Sequence, residues 1–191
     1  MRYSPQFPTA LQDVANALYA DLSVREQHPA SPGFRVQVDG ECLSAPQRVY
    51  FDLGILRAAI ARSTGDRQTL ALCLGSRHCD GHVREACLRS LIQSDTMWVV
   101  PFVVQLLGEY VIEIIRCIEE NIAVMDRLLY GRFMAQNPCF VATTKRRIAS
   151  YWDCYHRHRY PNFATYPATL AMRSLECMAK ESFSLALATR D

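Results

Sequence analysis

From Asp52 onward the apolar residues recur every three or four positions with hardly a break, a period that admits helices and little else. Leu53, Leu56, Ala59 and Ile60 share one face, closed by Ser63-Thr64-Gly65-Asp66. Leu70 to Leu74 predicts a short apolar helix stopped at Gly75. Val83, Ala86, Cys87 and Leu91 stripe the next helix behind Asp80, whose carboxylate suits an N-cap. The segment SDTMWVVPFVVQLLGEYVIEIIRCIEENI then predicts a long central helix, with Ser94 or Asp95 as cap and Pro101 in its first turn. Its polar residues Gln105, Glu109, Glu113, Arg116 and Glu120 fall at steps of four, four, three and four. They predict one narrow wet stripe, Glu109 included, on a helix otherwise covered by neighbours. Ile122, Met125, Leu128, Leu129 and Phe133 continue after a bend near Asn121. Asn137-Pro138 opens a further helix with Val141, Thr144, Ile148, Tyr151, Trp152 and Tyr155 at core spacing. Tyr160-Pro161-Asn162 breaks it, and a last helix from Pro167 to Leu187 carries Leu170, Leu175, Met178, Phe183 and Leu185.

The first 51 residues read differently. Leu11, Val14, Ala15, Leu18 and Leu22 predict a short amphipathic helix between Pro8 and Leu22, and HPASPG from His28 to Gly33 is loop chemistry. Phe34, Val36 and Val38 alternate with polar residues ahead of Asp39-Gly40, a two-residue hairpin turn signal. Val49, Tyr50 and Phe51 suit a further extended piece. The expectation is a small β-hairpin or extended insert near residues 34–51, with an ordered loop as the alternative.

Asp80-Gly-His-Val83-Arg84-Glu-Ala86-Cys-Leu-Arg-Ser-Leu91 resembles the second helix of a HEAT repeat, where Asp, Val-Arg, Ala and Leu stand at this spacing. The resemblance covers about two hairpins, residues 66–120, and extends to a broadly distributed bacterial protein group. It implies HEAT-like antiparallel helical hairpins, as an α-α superhelix or a compact helical domain, in which Asp and Arg ladder between repeats. Asp80, Val83 and Arg84 would then be structural. Arg84 would pack its stem beside the core and be held by an acidic side chain or by helix-end carbonyls. The expected organisation is one all-α domain over 1–191: an N-terminal helix and extended segment (1–51), a HEAT-like core (52–136) and C-terminal helices (137–191).

A chain of 191 residues is long enough to bury a core of its own. The net charge of +2 gives no global pull toward nucleic acid or anionic membranes. Eight cysteines (Cys42, Cys73, Cys79, Cys87, Cys117, Cys139, Cys154, Cys177) follow a start, MRYSPQFPTALQD, without the apolar core of a signal peptide. The expectation is a cytoplasmic protein with free, mostly buried thiols. The apolar run after Trp98 is interrupted by Gln105, Glu109 and Glu113, too soon for a membrane span.

Three clusters could carry chemistry. Cys73, His78, Cys79, His82 and Cys87 have types suited to zinc, but Cys73 and Cys87 fall on core stripes, so no metal and no cofactor is expected. Glu109, Glu113, Glu119, Glu120 and Asp126 make an acidic row opposed by Arg116, which the plainer reading takes as a solvated helix face. Residues 145–160, KRRIASYWDCYHRHRY, carry five cations against one carboxylate. Lys145, Arg146, Trp152, His156, Arg157 and Arg159 are its candidate binding residues, because aromatics beside cations suit stacking on bases. The plainer reading makes Tyr151, Trp152 and Tyr155 core and pairs Asp153 with Arg157. No phosphate loop, nucleophile elbow or His-Glu-x-x-His is present. The leading expectation is a scaffold that binds another protein without catalysis. The alternative is a nucleic-acid-binding protein or HEAT-like DNA glycosylase using segment 145–160, with Trp98, Trp152 and Asp153 facing DNA. A buried Trp152 ring favours the scaffold, and a ring exposed in a basic groove favours DNA.

Overall fold

A computed structural model of the protein describes residues 6–23 and 33–188, apart from the side chains at 183 and 185–188. Most of the loop expected at His28 to Gly33, and the side chains of Phe183 and Leu185, lie outside the described residues. The described chain is predominantly helical, with one two-stranded antiparallel sheet. It forms two compact units, Met1–Leu91 and Ile92–Asp191. Their boundary falls inside the stretch 52–136 that the sequence treats as one HEAT-like core.

The first unit holds α1 (Gln12–Leu22), β1 (Phe34–Val38), β2 (Glu41–Ala45), α2 (Leu53–Arg62), α3 (Gly65–Gly75) and α4 (Gly81–Leu91). The hairpin forms where Asp39-Gly40 predicts it. Both turn residues have positive φ, 48° and 85°, which suits a turn that matches the twist of its strands. The register pairs Val36 with Leu43, and the alternation buries Val36, Val38, Leu43 and Ala45. Val49 does extend, but as a single parallel bridge to His78, with Val49 N–H donating to the Arg77 carbonyl (2.9 Å) and Cys79 N–H to the Val49 carbonyl (3.1 Å). Asp52 caps α2 by accepting from the Ile55 amide at 3.0 Å.

α3 and α4 pack against each other, closely at Gly75. A Cβ at Gly75 would lie 2.4 Å from Cys87 Sγ. Asp80 accepts from the His82 amide at 2.8 Å at the start of α4. That bond holds the Asp80 carboxyl below its usual range, with partial desolvation opposing it. Val83, Cys87, Leu88 and Leu91 are buried, whereas Ala86 of the expected stripe is exposed. Leu88 takes its place on the inner face.

The second unit holds α5 (Val100–Val104), α6 (Ile112–Asn121), α7 (Arg127–Gln136), α8 (Pro138–Tyr151) and α9 (Pro167–Ala188). The long central helix expected after Ser94 does not form. A 3-10 turn over Gln105–Gly108 ends it, and Glu109 and Val111 are extended, with ψ 165° and 108°. The helical period therefore cannot be counted across Gly108. Beyond the break Glu113, Arg116 and Glu120 are exposed as expected; before it Gln105 and Glu109 are buried, at 2% and 1% exposure. The expectation that Glu109 stays in solvent is thus corrected. Residues 97–109 are buried without interruption.

α9 is the long element of this unit, and it packs on α6, α7 and the Gln105–Gly108 turn. α7 approaches it closely at Gly131, where a Cβ would come within 2.3 Å of the Met178 carbonyl oxygen. Asp126 caps α7 through the Leu129 amide (2.9 Å), and Arg127 bridges to Glu181 of α9 (2.7 Å). Leu128 (59%) and Leu170 (39%) are exposed, contrary to the apolar faces expected of them. Five cysteines are exposed and three, Cys73, Cys87 and Cys117, are buried, so the thiols are free but not mostly buried. Among the described residues no helix is long and apolar enough to cross a membrane.

Candidate functional site

The candidate surface belongs to the second unit, at the C-terminal end of α8. The helix does not stop at Tyr151. It widens into a π-turn over Trp152–His156, in which the Arg157 amide donates to the carbonyl of Trp152 five residues back, at 2.8 Å. One extra residue per turn shifts the helical phase. His156 therefore takes the inward position that an unbroken helix gives Tyr155. Tyr155 is 63% exposed, which corrects its expected place in the core.

Tyr155 is not isolated. The Gln105–Gly108 turn packs on α8 because Gly108 has no side chain; a Cβ there would sit 3.2 Å from Arg147 Cβ. This contact brings Tyr110, just past the break, beside α8. The rings of Tyr110, Tyr151 and Tyr155 form a triangle with centroids 5.9–6.0 Å apart. Tyr110 is 49% exposed and Tyr151 half-buried. His156, buried beneath, anchors the arrangement: its Nε2 donates to the Tyr110 carbonyl at 3.0 Å, and its ring stacks on Tyr166 at 5.4 Å. Tyr166 is fully buried, its hydroxyl meets no partner among the described residues, and burial, then Tyr160, raise its pKa.

The six binding candidates separate. His156 is engaged inside the fold and is closed to a partner. Trp152 is half-buried, with its indole N–H donating to the Tyr160 carbonyl (2.8 Å) and its ring 5.1 Å from Phe163. Lys145, Arg146, Arg157 and Arg159 are exposed. Lys145 pairs with Glu176 of α9 (2.6 Å), Arg146 donates to Thr143, Arg157 pairs with Asp153 (3.2 Å), and Arg159 lies over Tyr160. Exposed pairs of this kind exchange readily with outside partners. Trp98, weighed beside them, is buried at 8% exposure.

The three residues expected to be structural, Asp80, Val83 and Arg84, lie in the first unit. Arg84 is fully buried and its Nη1 donates to the carbonyls of His78 and Cys79, both at 2.9 Å, in the turn after α3. The zinc-type residues do not converge. Cys73 and Cys87 are buried thiols; desolvation raises both, Cys87 to about 11. The His78 ring bridges the Phe51 carbonyl and the Asp80 amide, while His82 is exposed. Among the described residues no three His, Cys, Asp or Glu side chains form a cation site. The acidic row is split by the burial of Glu109.

The tyrosine triangle was hidden from sequence reasoning. Tyr110 sits in an apolar run that reads as core, and the π-turn leaves no residue signature. No known family model, curated protein or solved structure matches the chain.

Proposed function

We propose that the protein is a non-catalytic helical scaffold, HEAT-like in its α3–α4 pair and cytoplasmic in a bacterium, that docks another protein through the surface around Tyr110, Tyr151 and Tyr155. The observation that carries this reading is the cluster of three mutually touching tyrosines at the surface, two of them about half exposed or more. Tyrosine supplies a large, stiff contact area with a polar tip, which is why it is enriched at interface hot spots. Arg157 and Arg159 follow in sequence and suit a polar rim. The half-buried Trp152 ring, bonded at its N–H to the Tyr160 carbonyl and lying against Phe163, offers less surface to a base than a ring exposed in a groove, which favours the scaffold over the DNA alternative.

The test uses the full chain and a Tyr110→Ser/Tyr155→Ser variant, with Arg116→Gln as surface control. Quantitative pull-down from the native host should recover a defined protein whose yield falls at least tenfold with the double variant and is unchanged with the control. Equal recovery on all three refutes the surface. Anisotropy with labelled single- and double-stranded oligonucleotides decides the alternative: tight, salt-sensitive binding lost with Tyr155→Ser would replace the protein reading.

A further inference from the structure

A groove runs between α8 and α9 in the second unit, on residues that the tyrosine surface does not use. It holds two openings, of about 480 Å3 and about 270 Å3, which share Lys145 and Glu176, an ion pair of 2.6 Å. α9 packs along α7 and meets α8 only sparsely, so the facing stripes of α8 and α9 stay apart. The α8 wall is Pro138, Val141, Ala142, Ile148 and Ala149, one face at helical spacing on either side of Lys145. The α9 wall places Met172 and Ala179 on either side of Glu176. Val141, Ile148 and Met172 are buried at the base, while Pro138, Ala142 and Ala149 are exposed. Each opening is thus an apolar socket, and the Lys145–Glu176 pair stands between the two.

Spacing, backbone and charge together select the occupant. Val141 and Ile148 are seven residues apart on α8, as are Met172 and Ala179 on α9, so the sockets lie about 10.5 Å apart along the helices. A docked helix sets its residues i and i+7 at that separation. Both walls are helices whose backbone groups are bonded within themselves. An extended segment would find no N–H or C=O to pair with there, whereas a helix brings its backbone bonds with it. The charged residues lining the groove are Lys145, Arg173 and Lys180 against Glu176, three cations to one carboxylate. Lys180 has no carboxylate partner among the described residues, and Arg173 is bonded only to a neutral carbonyl, so neither charge is cancelled. That excess favours acidic flanks on the occupant. The chain itself does not supply such a helix among its described residues. Its exposed large apolar side chains are Tyr110, Val124, Leu128, Tyr155 and Leu170, and no two of them stand seven apart.

We propose that the α8–α9 groove docks an acidic amphipathic helix of a different protein. Two large apolar side chains of that helix, seven residues apart, fill the socket over Val141 and Ala179 and the socket over Ile148 and Met172. Carboxylates on its flanks pair with Lys180 and, by exchange with the exposed Glu176 pair, with Lys145. The groove and the tyrosine surface are separate sites, so either holds if the other fails.

The probe is a displayed library of peptides of about four helical turns on an alanine-rich frame, selected against the full chain. Enriched peptides should carry large apolar residues at i and i+7 and more Asp and Glu than the starting library. The most enriched peptide, titrated into the isotopically labelled full chain, should shift amides centred on Val141, Ala142, Ile148 and Ala179. Ala142→Trp and Ala149→Trp, both at exposed positions, should each weaken binding at least tenfold, and Lys180→Glu severalfold, with far-ultraviolet circular dichroism unchanged. Arg116→Gln and the Tyr110→Ser/Tyr155→Ser variant should bind as wild type, which separates this result from the tyrosine test. The proposal is overturned by absence of enrichment, by a basic or unpatterned consensus, by shifts centred elsewhere, or by full affinity in both tryptophan variants. Dimerisation of the chain that Ala142→Trp abolishes would place a second copy in the groove and overturn it too.

Discussion

Gly75 and Cys87 should behave as one packing unit, and a double-mutant cycle can measure it. In Gly75→Ala the new methyl would sit 2.4 Å from Cys87 Sγ, while ordinary contact begins at 3.4 Å, so either the Cys87 side chain leaves its rotamer or α3 and α4 shift by about 1 Å. Overpacking of a buried contact costs about 1–3 kcal/mol. The Gly-to-Ala gain in helix propensity offsets up to ~1 kcal/mol, less at the last residue of α3, leaving a net loss of about 1–2 kcal/mol. Cys87→Ala removes one buried sulfur and should cost about 0.5–1.5 kcal/mol, like other deletions of a single heavy atom. In the double variant the methyl introduced at position 75 occupies space the sulfur has left. Its stability should return to within about 0.5 kcal/mol of wild type, so the coupling is favourable by roughly 1–4 kcal/mol. Urea unfolding followed by far-ultraviolet circular dichroism reads all four proteins. A double variant that loses the sum of the two single losses would show that Cys87 does not fill the space above Gly75.

Three further outcomes are expected. Asp80→Ala should cost about 1 kcal/mol at pH 7 as a lost N-cap. Because the folded-state pKa of Asp80 lies below the unfolded one, that stability is present above the unfolded value and fades as pH falls through the folded value, so the gap between the two proteins should narrow with acidification; a gap that stays constant across the acid range contradicts the capping account. Arg84→Ala and Glu109→Gln should each cost about 1–3 kcal/mol in urea, since both side chains are buried; a Glu109→Gln change under about 0.5 kcal/mol would return Glu109 to solvent. A chromogenic disulfide reagent should titrate five thiols rapidly in the native protein, with Cys73, Cys87 and Cys117 reacting only after denaturation; eight fast thiols would contradict the burial pattern.

The features legible in the chain alone were local ones. Asp39-Gly40 sets a hairpin because two adjacent positive-φ residues cost little only there, and alternation around it decides which face is buried. Asp80 ahead of an apolar stripe sets a helix start, and Val83, Cys87 and Leu91 set its inner face, because capping and a 3.6-residue period act within a few residues. Whatever depended on phase carried over distance was settled by tertiary packing. Gly108 interrupts the count between Gln105 and Glu120, so Glu109 is buried although the spacing put it in water. The π-turn at Trp152–His156 rotates the face by one residue, sending His156 inward and Tyr155 outward. The candidate site follows from those two interruptions: Tyr110 and Tyr155 are 45 residues apart in sequence, and only the packing of the Gln105–Gly108 turn on α8 brings them together.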